Sequence, residues 1–67
     1  MNYLMRMIDE FVELKRKIWK LEHKLGREED DLDKTDIELM ERQLTAMQAY
    51  AETLYIRIKK GVESCED

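Results

Sequence analysis

Hydrophobic residues recur at intervals of three and four in two separate stretches of the chain, with polar residues between them. This is the heptad pattern of helices that pack against other helices. The first seam consists of Leu4, Met7, Phe11, Leu14, Ile18, Leu21 and Leu25, and the second of Ile37, Met40, Leu44, Met47, Ala51, Leu54 and Ile58. Each repeat would form a narrow apolar strip on one helix, and such a strip needs a partner helix to cover it. The pattern therefore predicts two helices that pack along their seams.

The ends of the predicted helices follow from the chain's two glycines. The predicted segments are a helix over 3–25, an acidic connector over 26–34, a helix over 35–60 and a disordered tail over 62–67. Gly26 and Gly61 are expected to stop the helices, because glycine adopts the left-handed conformation of a helix terminus without a side-chain clash. Arg57, Lys59 and Lys60 would then lie in the last turn, where cations favour the negative end of the helix dipole.

Two capping arrangements compete at the start of the second helix. Thr35 and Glu38 have the spacing of a capping box, in which each side chain bonds to the other residue's amide. Asp33 is the alternative cap, with Leu32 and Ile37 forming a hydrophobic staple around it. The predicted start is therefore uncertain by two residues.

A short connector between two long helices predicts an antiparallel hairpin, and hence an all-α fold with coiled-coil-like heptads in a single domain over residues 1–61. A second apolar stripe widens the face of the first helix to roughly 160°, taking 100° per residue. It consists of Met5, Ile8, Val12 and Trp19. Because one partner helix covers only a narrow seam, we expect this stripe to be the subunit interface of a homo-oligomeric helical bundle. Two hairpins would give four helices, and three would give six.

Size and composition support self-association and limit the possible functions. Sixty-seven residues bury little apolar surface, and the single cysteine, Cys65, cannot form an internal disulfide. We expect Cys65 to be a free thiol. The net charge of −4 argues against a DNA-binding protein. The sequence shows neither an apolar run long enough to span a membrane nor a signal-peptide pattern, so it predicts a cytoplasmic protein that does not contact membranes.

The sequence does not predict an enzyme, a metal site or a cofactor. His23 is the only histidine and Ser64 the only serine, so the parts of a catalytic triad are missing. A calcium loop beginning at Asp31 fails, because Asp36 stands where glycine is needed and Arg42 where glutamate is needed. Any function is therefore expected to rest on binding.

Aromatic and cationic side chains favour a nucleotide as one possible ligand. Flat rings can stack on bases, and cations can bind phosphates. The hairpin would bring the two ends of the chain together, and residues 1–27 are locally basic, with seven Lys or Arg against four acids. The candidate ligand-binding residues are Tyr3, Arg6, Tyr55 and Arg57 at one end, and Arg16, Lys20 and Arg42 near Trp19 as a second cluster.

The segment from Leu39 to Ile58 resembles short helical-hairpin proteins of phages and prophages. The matching positions are Gln43, Leu44, Ala46, Met47, Tyr50, Leu54, Arg57 and Ile58. The chain is also similar to the phage sponges that sequester the cyclic dinucleotides of the anti-phage system CBASS, which are small helical proteins that assemble as hexamers. The sponges bind their ligand through a region near the N-terminus, to which Tyr3 is the one clear counterpart in this sequence.

The phage hairpin proteins mostly have no assigned activity, but the likeness to the sponges implies a phage counter-defence protein that acts by stoichiometric binding without catalysis. Its target would be a cyclic-nucleotide immune signal in the host cytoplasm. An alternative is a protein-binding inhibitor or structural helical adaptor that blocks a host defence protein or a phage protein. The wide apolar face of the first helix favours this alternative.

Overall fold

The computed structural model describes residues 2–26 and 32–64, so predictions about residues 27–31 of the acidic connector lie outside the described residues. Helix α1 spans Tyr3–Leu25 and helix α2 spans Lys34–Ser64. The two helices pack against each other as a hairpin that measures 53 × 17 × 15 Å. This arrangement confirms the predicted all-α, two-helix fold.

Side-chain hydrogen bonds between the helices show that they run in opposite directions. The pairs are Arg57 with Tyr3, Tyr50 with Glu10, and Gln48 with Glu22. Partners early in α1 lie opposite positions late in α2, and the α2 partner moves back along its helix as the α1 partner moves forward. The hairpin is therefore antiparallel, and the start of α1 lies beside the end of α2.

Both helices begin at a side chain that accepts a backbone hydrogen bond. Asn2 Oδ1 accepts from the Met5 amide at 2.8 Å, and Asp33 Oδ1 accepts from the Asp36 amide at 2.8 Å. Each bond satisfies one of the amides that the first turn of a helix leaves without a partner. Of the two starts that the sequence allowed for α2, the structure has the one capped by Asp33, and Thr35 lies inside the helix.

Gly26 caps α1 in a different conformation from the one predicted. Its φ and ψ angles of −81° and −5° are right-handed, so the prediction of a left-handed glycine is wrong. The Gly26 amide donates to the Glu22 carbonyl at 3.1 Å, which continues the helical hydrogen bonding by one more step. No property unique to glycine is needed for this conformation.

The prediction that α2 ends at Gly61 is wrong, because the helix continues to Ser64. Gly61 lies where the two helices approach closely: a Cβ atom there would lie 3.1 Å from Leu4 Cδ1 and 3.8 Å from Met7 Cε. The missing side chain thus leaves room for α1 instead of breaking α2. Residues 62–64, predicted as part of a disordered tail, are helical, whereas 65–67, including Cys65, lie outside the described residues.

The core lies between the two seams. Its buried members are Met7 and Ile18 of α1 and Ala51 and Leu54 of α2, all of which are heptad positions. The other seam residues are half-buried except Ile37, which is exposed. Burial of each large side chain contributes about 1.5–3 kcal/mol, so a core of this size gives a modest total.

The second stripe of α1 is not covered by α2. Met5, Val12 and Trp19 are 51%, 49% and 57% exposed, and Ile8 is half-buried. In the described part of the chain, neither helix is apolar enough over sufficient length to cross a membrane. The role of this stripe as a subunit interface stays a prediction.

Candidate ligand-binding site

A cleft of about 630 Å³ lies at the open end of the hairpin, where α1 begins and α2 ends. We refer to it as the end cleft. Its lining residues are Asn2, Tyr3, Leu4, Arg57, Lys60, Gly61 and Ser64. Ser64 takes part because α2 continues for another turn beyond Gly61. The turn of α2 that lies beyond the predicted helix end therefore forms part of the cleft wall.

Tyr3 and Arg57 form the aromatic and cationic pair of the end cleft. Arg57 Nη2 donates a hydrogen bond to the Tyr3 hydroxyl. The guanidinium carbon lies 5.8 Å from the centre of the Tyr3 ring, within the range of a cation–π interaction. Tyr3 is nevertheless 62% exposed. The antiparallel fold thus holds a flat ring and a planar cation together on a surface that a ligand can reach.

Lys60 adds a second cation to the same cleft. It follows Arg57 by three positions, so both side chains lie on one face of α2. Ser64 Oγ lies one turn further on and donates to the Lys60 carbonyl at 3.0 Å. An arginine fork and a lysine ammonium on one wall are suited to phosphate oxygens, and the Tyr3 ring is suited to stacking on a base.

Sequence reasoning did not include Lys60 among the ligand-binding residues. A helix that ends at Gly61 would place Lys60 in its last turn, where the helix dipole accounts for a cation without any ligand. Because α2 runs to Ser64, Lys60 lies before the last turn, which contains no basic residue. The signal that could have identified Lys60 is its spacing of three positions from Arg57.

The other residues predicted for this end of the hairpin do not line the end cleft. The Tyr55 ring packs against Phe11, with ring centres 6.0 Å apart and planes at 41°. Both rings line a separate groove between the helices. Arg6 is exposed on α1 and is absent from the lining of the end cleft. The structure therefore brings Tyr3 and Arg57 together but not Tyr55 or Arg6.

The predicted second cluster is only partly assembled. Arg16 lines a groove of about 520 Å³ on α1 together with Trp19, and Arg16 Nη1 lies 3.4 Å from Glu13 Oε1. Lys20 and Arg42 are exposed and do not line this groove. Of the predicted cluster only Arg16 lines this groove, beside Lys15, and the acids Glu13 and Glu22 lie close by, which makes it the weaker candidate for anion binding.

Trp19 is in contact with His23, one turn later on α1. Its ring stacks on that of His23, with centres 3.8 Å apart and planes at 29°. His23 Nδ1 lies 3.0 Å from the Trp19 carbonyl, so the imidazole is held against the indole by a backbone contact as well. Within the described residues, no group of three or more His, Cys, Asp or Glu side chains could hold a metal ion.

The fold and the end cleft define a small helical hairpin that presents aromatic and cationic side chains on its outer surface. Residues 1–60 match the sequence profile of the Sequestin family, and the chain belongs to that family. The family name is consistent with a sequestering role, which is binding rather than catalysis. Comparison with curated proteins and with solved structures finds no match to the chain.

Proposed function

We propose that this protein is a phage counter-defence protein that sequesters a nucleotide immune signal of the cyclic-nucleotide class in the end cleft. The observation that carries the proposal is the grouping of Tyr3, Arg57 and Lys60 around one cleft. Sequestration requires only that each ligand molecule be held, so it needs no catalytic group. Membership of the Sequestin family supports the binding role.

The chemistry of the three side chains matches the two parts of a nucleotide. A guanidinium carries five N–H donors, so the hydrogen bond from Arg57 to Tyr3 uses a small part of its donor capacity. Arg57 and Lys60 would bind phosphate oxygens by charge-assisted hydrogen bonds. Stacking of a base on an aromatic ring is worth about 1–3 kcal/mol, which gives the Tyr3 ring a direct role in affinity.

The net charge of −4 opposes the approach of an anionic ligand, but the charges are unevenly distributed. Residues 28–38 carry seven acids and one lysine, whereas the end cleft is lined by two cations and no acid among the described residues. The acidic connector joins the other ends of the two helices. Screening at physiological salt weakens the effect of the connector's acids beyond about 8 Å, so they oppose binding at the cleft only weakly.

A sequestering protein acts in proportion to the number of sites it provides. A chain of 67 residues supplies one end cleft per copy, and a symmetric oligomer would repeat that cleft in each subunit. Self-association, which the exposed stripe of α1 favours, is part of the proposal, as is action in the host cytoplasm, where the signal would be encountered. Such a protein would lower the free concentration of the signal without altering it chemically.

The direct test is calorimetry and thermal-shift measurement with cyclic dinucleotides, cyclic trinucleotides and ADP-ribose-type signals. A ligand present at about a hundred times its Kd stabilises the folded protein by about 2.7 kcal/mol, which is a readily measured rise in Tm. If none of these ligands changes the Tm at that excess, the nucleotide proposal is wrong.

Two neighbouring lysines provide a matched pair of variants. Lys60 lines the end cleft and Lys59 does not, although both are exposed on α2. We expect Lys60→Ala to weaken binding by about tenfold, corresponding to 1.4 kcal/mol, because a phosphate contact is lost. Lys59→Ala should leave the Kd within about twofold of the wild type, since it changes only an exposed charge outside the lining of the cleft. Equal losses in both variants would indicate nonspecific attraction and not a site in the cleft.

One observation favours a second function, that of a protein-binding inhibitor or adaptor. The exposed stripe of Met5, Val12 and Trp19 has the helical spacing with which an amphipathic helix enters a groove on a partner. If the nucleotide screen fails, affinity capture from host lysate with the wild type, using Trp19→Lys as the control, tests this function. A host protein retained by the wild type and lost with the variant would support it.

A further inference from the structure

Two tyrosines are hydrogen-bonded through their hydroxyl groups to the opposite helix. The first is Tyr3, which accepts from Arg57 at the end cleft, and the second is Tyr50, which donates to Glu10 Oε2. Tyr3 and Glu10 are seven positions apart on α1, and the other two residues are also seven positions apart on α2. Residues at this spacing lie on nearly the same face of a helix, so the two contacts follow each other along one side of the hairpin.

Both tyrosine rings are held in place and yet accessible. Tyr3 is 62% exposed and Tyr50 is 45% exposed, although each hydroxyl is bound to the other helix. A ring that is already held loses less conformational freedom when a base stacks on it. Seven residues at 1.5 Å each separate the two contacts by about 10 Å along the hairpin. Two restrained rings at this separation suit a ligand with two bases better than a ligand with one.

A cation lies between the two contacts on α1. Arg6 follows Tyr3 by three positions and precedes Glu10 by four, so it is the surface neighbour of both, and it is exposed. The acids next along this helix, Asp9 and Glu13, lie about 100° and 60° around it from Glu10, further from α2. A phosphate that joins bases on the two rings would therefore lie beside Arg6.

Glu10 determines which part of a ligand can lie at Tyr50. Its carboxylate repels phosphate, but carboxylate oxygens accept hydrogen bonds from the amino groups of bases. Because Tyr50 binds Oε2, the other oxygen of Glu10 is left for such a bond. This end of the surface is thus suited to a base, whereas the end cleft with Arg57 and Lys60 is suited to phosphate.

We propose that Tyr50 and Glu10 form a second base site, and that the ligand is a dinucleotide which extends from the end cleft to Tyr50. One base stacks on Tyr3, the other stacks on Tyr50, and Arg6 binds the phosphate between them. The inference rests on the proposed function, because it takes the end cleft as the first base site. It narrows the ligand from nucleotides in general to those with two bases.

Calorimetric titration with two-base and one-base probes tests the second site. The two-base probes are cyclic di-GMP and cyclic di-AMP, and the one-base probes are cyclic GMP and cyclic AMP. The wild type should bind its preferred two-base probe at least about tenfold more tightly than the matching one-base probe. Tyr50→Ala should weaken binding of the two-base probe by about 5- to 150-fold, which is equivalent to one base–aromatic stack. Its Kd for the one-base probe should stay within about twofold of the wild type, which also shows that the variant is folded.

Tyr55 provides the matched control on the same helix. It is 56% exposed, but it lies about 140° around α2 from Tyr50 and packs against Phe11. Tyr55→Ala should therefore leave the Kd for the two-base probe within about twofold of the wild type. Arg6→Ala should weaken binding of the two-base probe by about tenfold, because a charge-assisted phosphate contact is lost.

The outcomes separate the second base site from the end cleft. If Tyr50→Ala binds the two-base probe as tightly as the wild type while Tyr3→Ala does not, the second base site is wrong and the end cleft stands. A wild type that binds one-base and two-base probes equally tightly, or that binds neither two-base probe, also overturns the second base site. The wider nucleotide screen then decides the proposed function by itself.

Discussion

The hydroxyl of Tyr3 accepts a hydrogen bond from Nη2 of Arg57, across 54 positions of sequence. Tyr3 lies at the start of α1, and Arg57 lies two turns before the end of α2. The antiparallel packing of the two seams is what brings these side chains together. The proposed ligand site is therefore a consequence of the hairpin and would be lost with it.

Substitution of Tyr3 should separate the role of its ring from that of its hydroxyl. Tyr3→Phe keeps the stacking surface and frees the Arg57 guanidinium, so we expect the Kd for a bound nucleotide to stay within about threefold of the wild type. Tyr3→Ala removes the ring and should raise the Kd by about 5- to 150-fold, which corresponds to 1–3 kcal/mol of stacking. Calorimetry on both variants measures the difference. Equal Kd values would show that the ring does not stack on the ligand.

The stability of the hairpin should depend most strongly on Leu54. This side chain is 0% exposed, whereas Ile56, two positions later on α2, is 57% exposed. We expect Leu54→Ala to lower the free energy of unfolding by about 2–5 kcal/mol, because it removes a buried side chain and leaves a cavity. Ile56→Ala should change it by less than about 0.5 kcal/mol. Urea unfolding followed by circular dichroism compares the two variants, and similar midpoints would contradict the assignment of the core.

Large substitutions at the two glycines should have different effects. A Cβ atom at Gly61 would lie 3.1 Å from Leu4 Cδ1, whereas at Gly26 the nearest atoms are backbone oxygens at 3.6 and 3.7 Å. Gly61→Leu should destabilise the protein by about 1–3 kcal/mol through overpacking. Gly26→Leu should be neutral or stabilising by up to about 1 kcal/mol, since the backbone there is already right-handed and the glycine's freedom in the unfolded chain is reduced. Thermal unfolding of both variants tests this difference.

Loss of the α2 cap should identify which residue begins the helix. Asp33→Ala removes the acceptor of the Asp36 amide and should cost about 0.5–2 kcal/mol of stability. Thr35→Ala should cost little, because Thr35 lies inside the helix, where alanine is the better helix former. If Thr35→Ala proves to be the more damaging change, the capping box is the true start of α2.

Much of the fold follows from local sequence pattern. The spacing of Met7, Ile18 and Leu54 within their heptads predicts which side chains are buried, since the helical period places them on one face whatever that face packs against. The short connector predicts an antiparallel return, and that return places Tyr3 near Arg57. These features depend on the spacing of apolar residues and on the length of the connector, both of which can be read directly from the sequence.

Other features depended on contacts between distant residues. Glycine ends many helices, but Gly61 lies inside α2, where its missing side chain leaves room for Leu4 and Met7 of α1, and no residue near Gly61 in the sequence indicates this. The extra turn that follows brings Ser64 to the end cleft and places Lys60 before the last turn. The sequence by itself therefore determined the helices, their seams and their direction. Only the tertiary structure decided how Gly61 is used and which cations share a cleft with Tyr3, because both depend on how closely the two helices approach each other at that end.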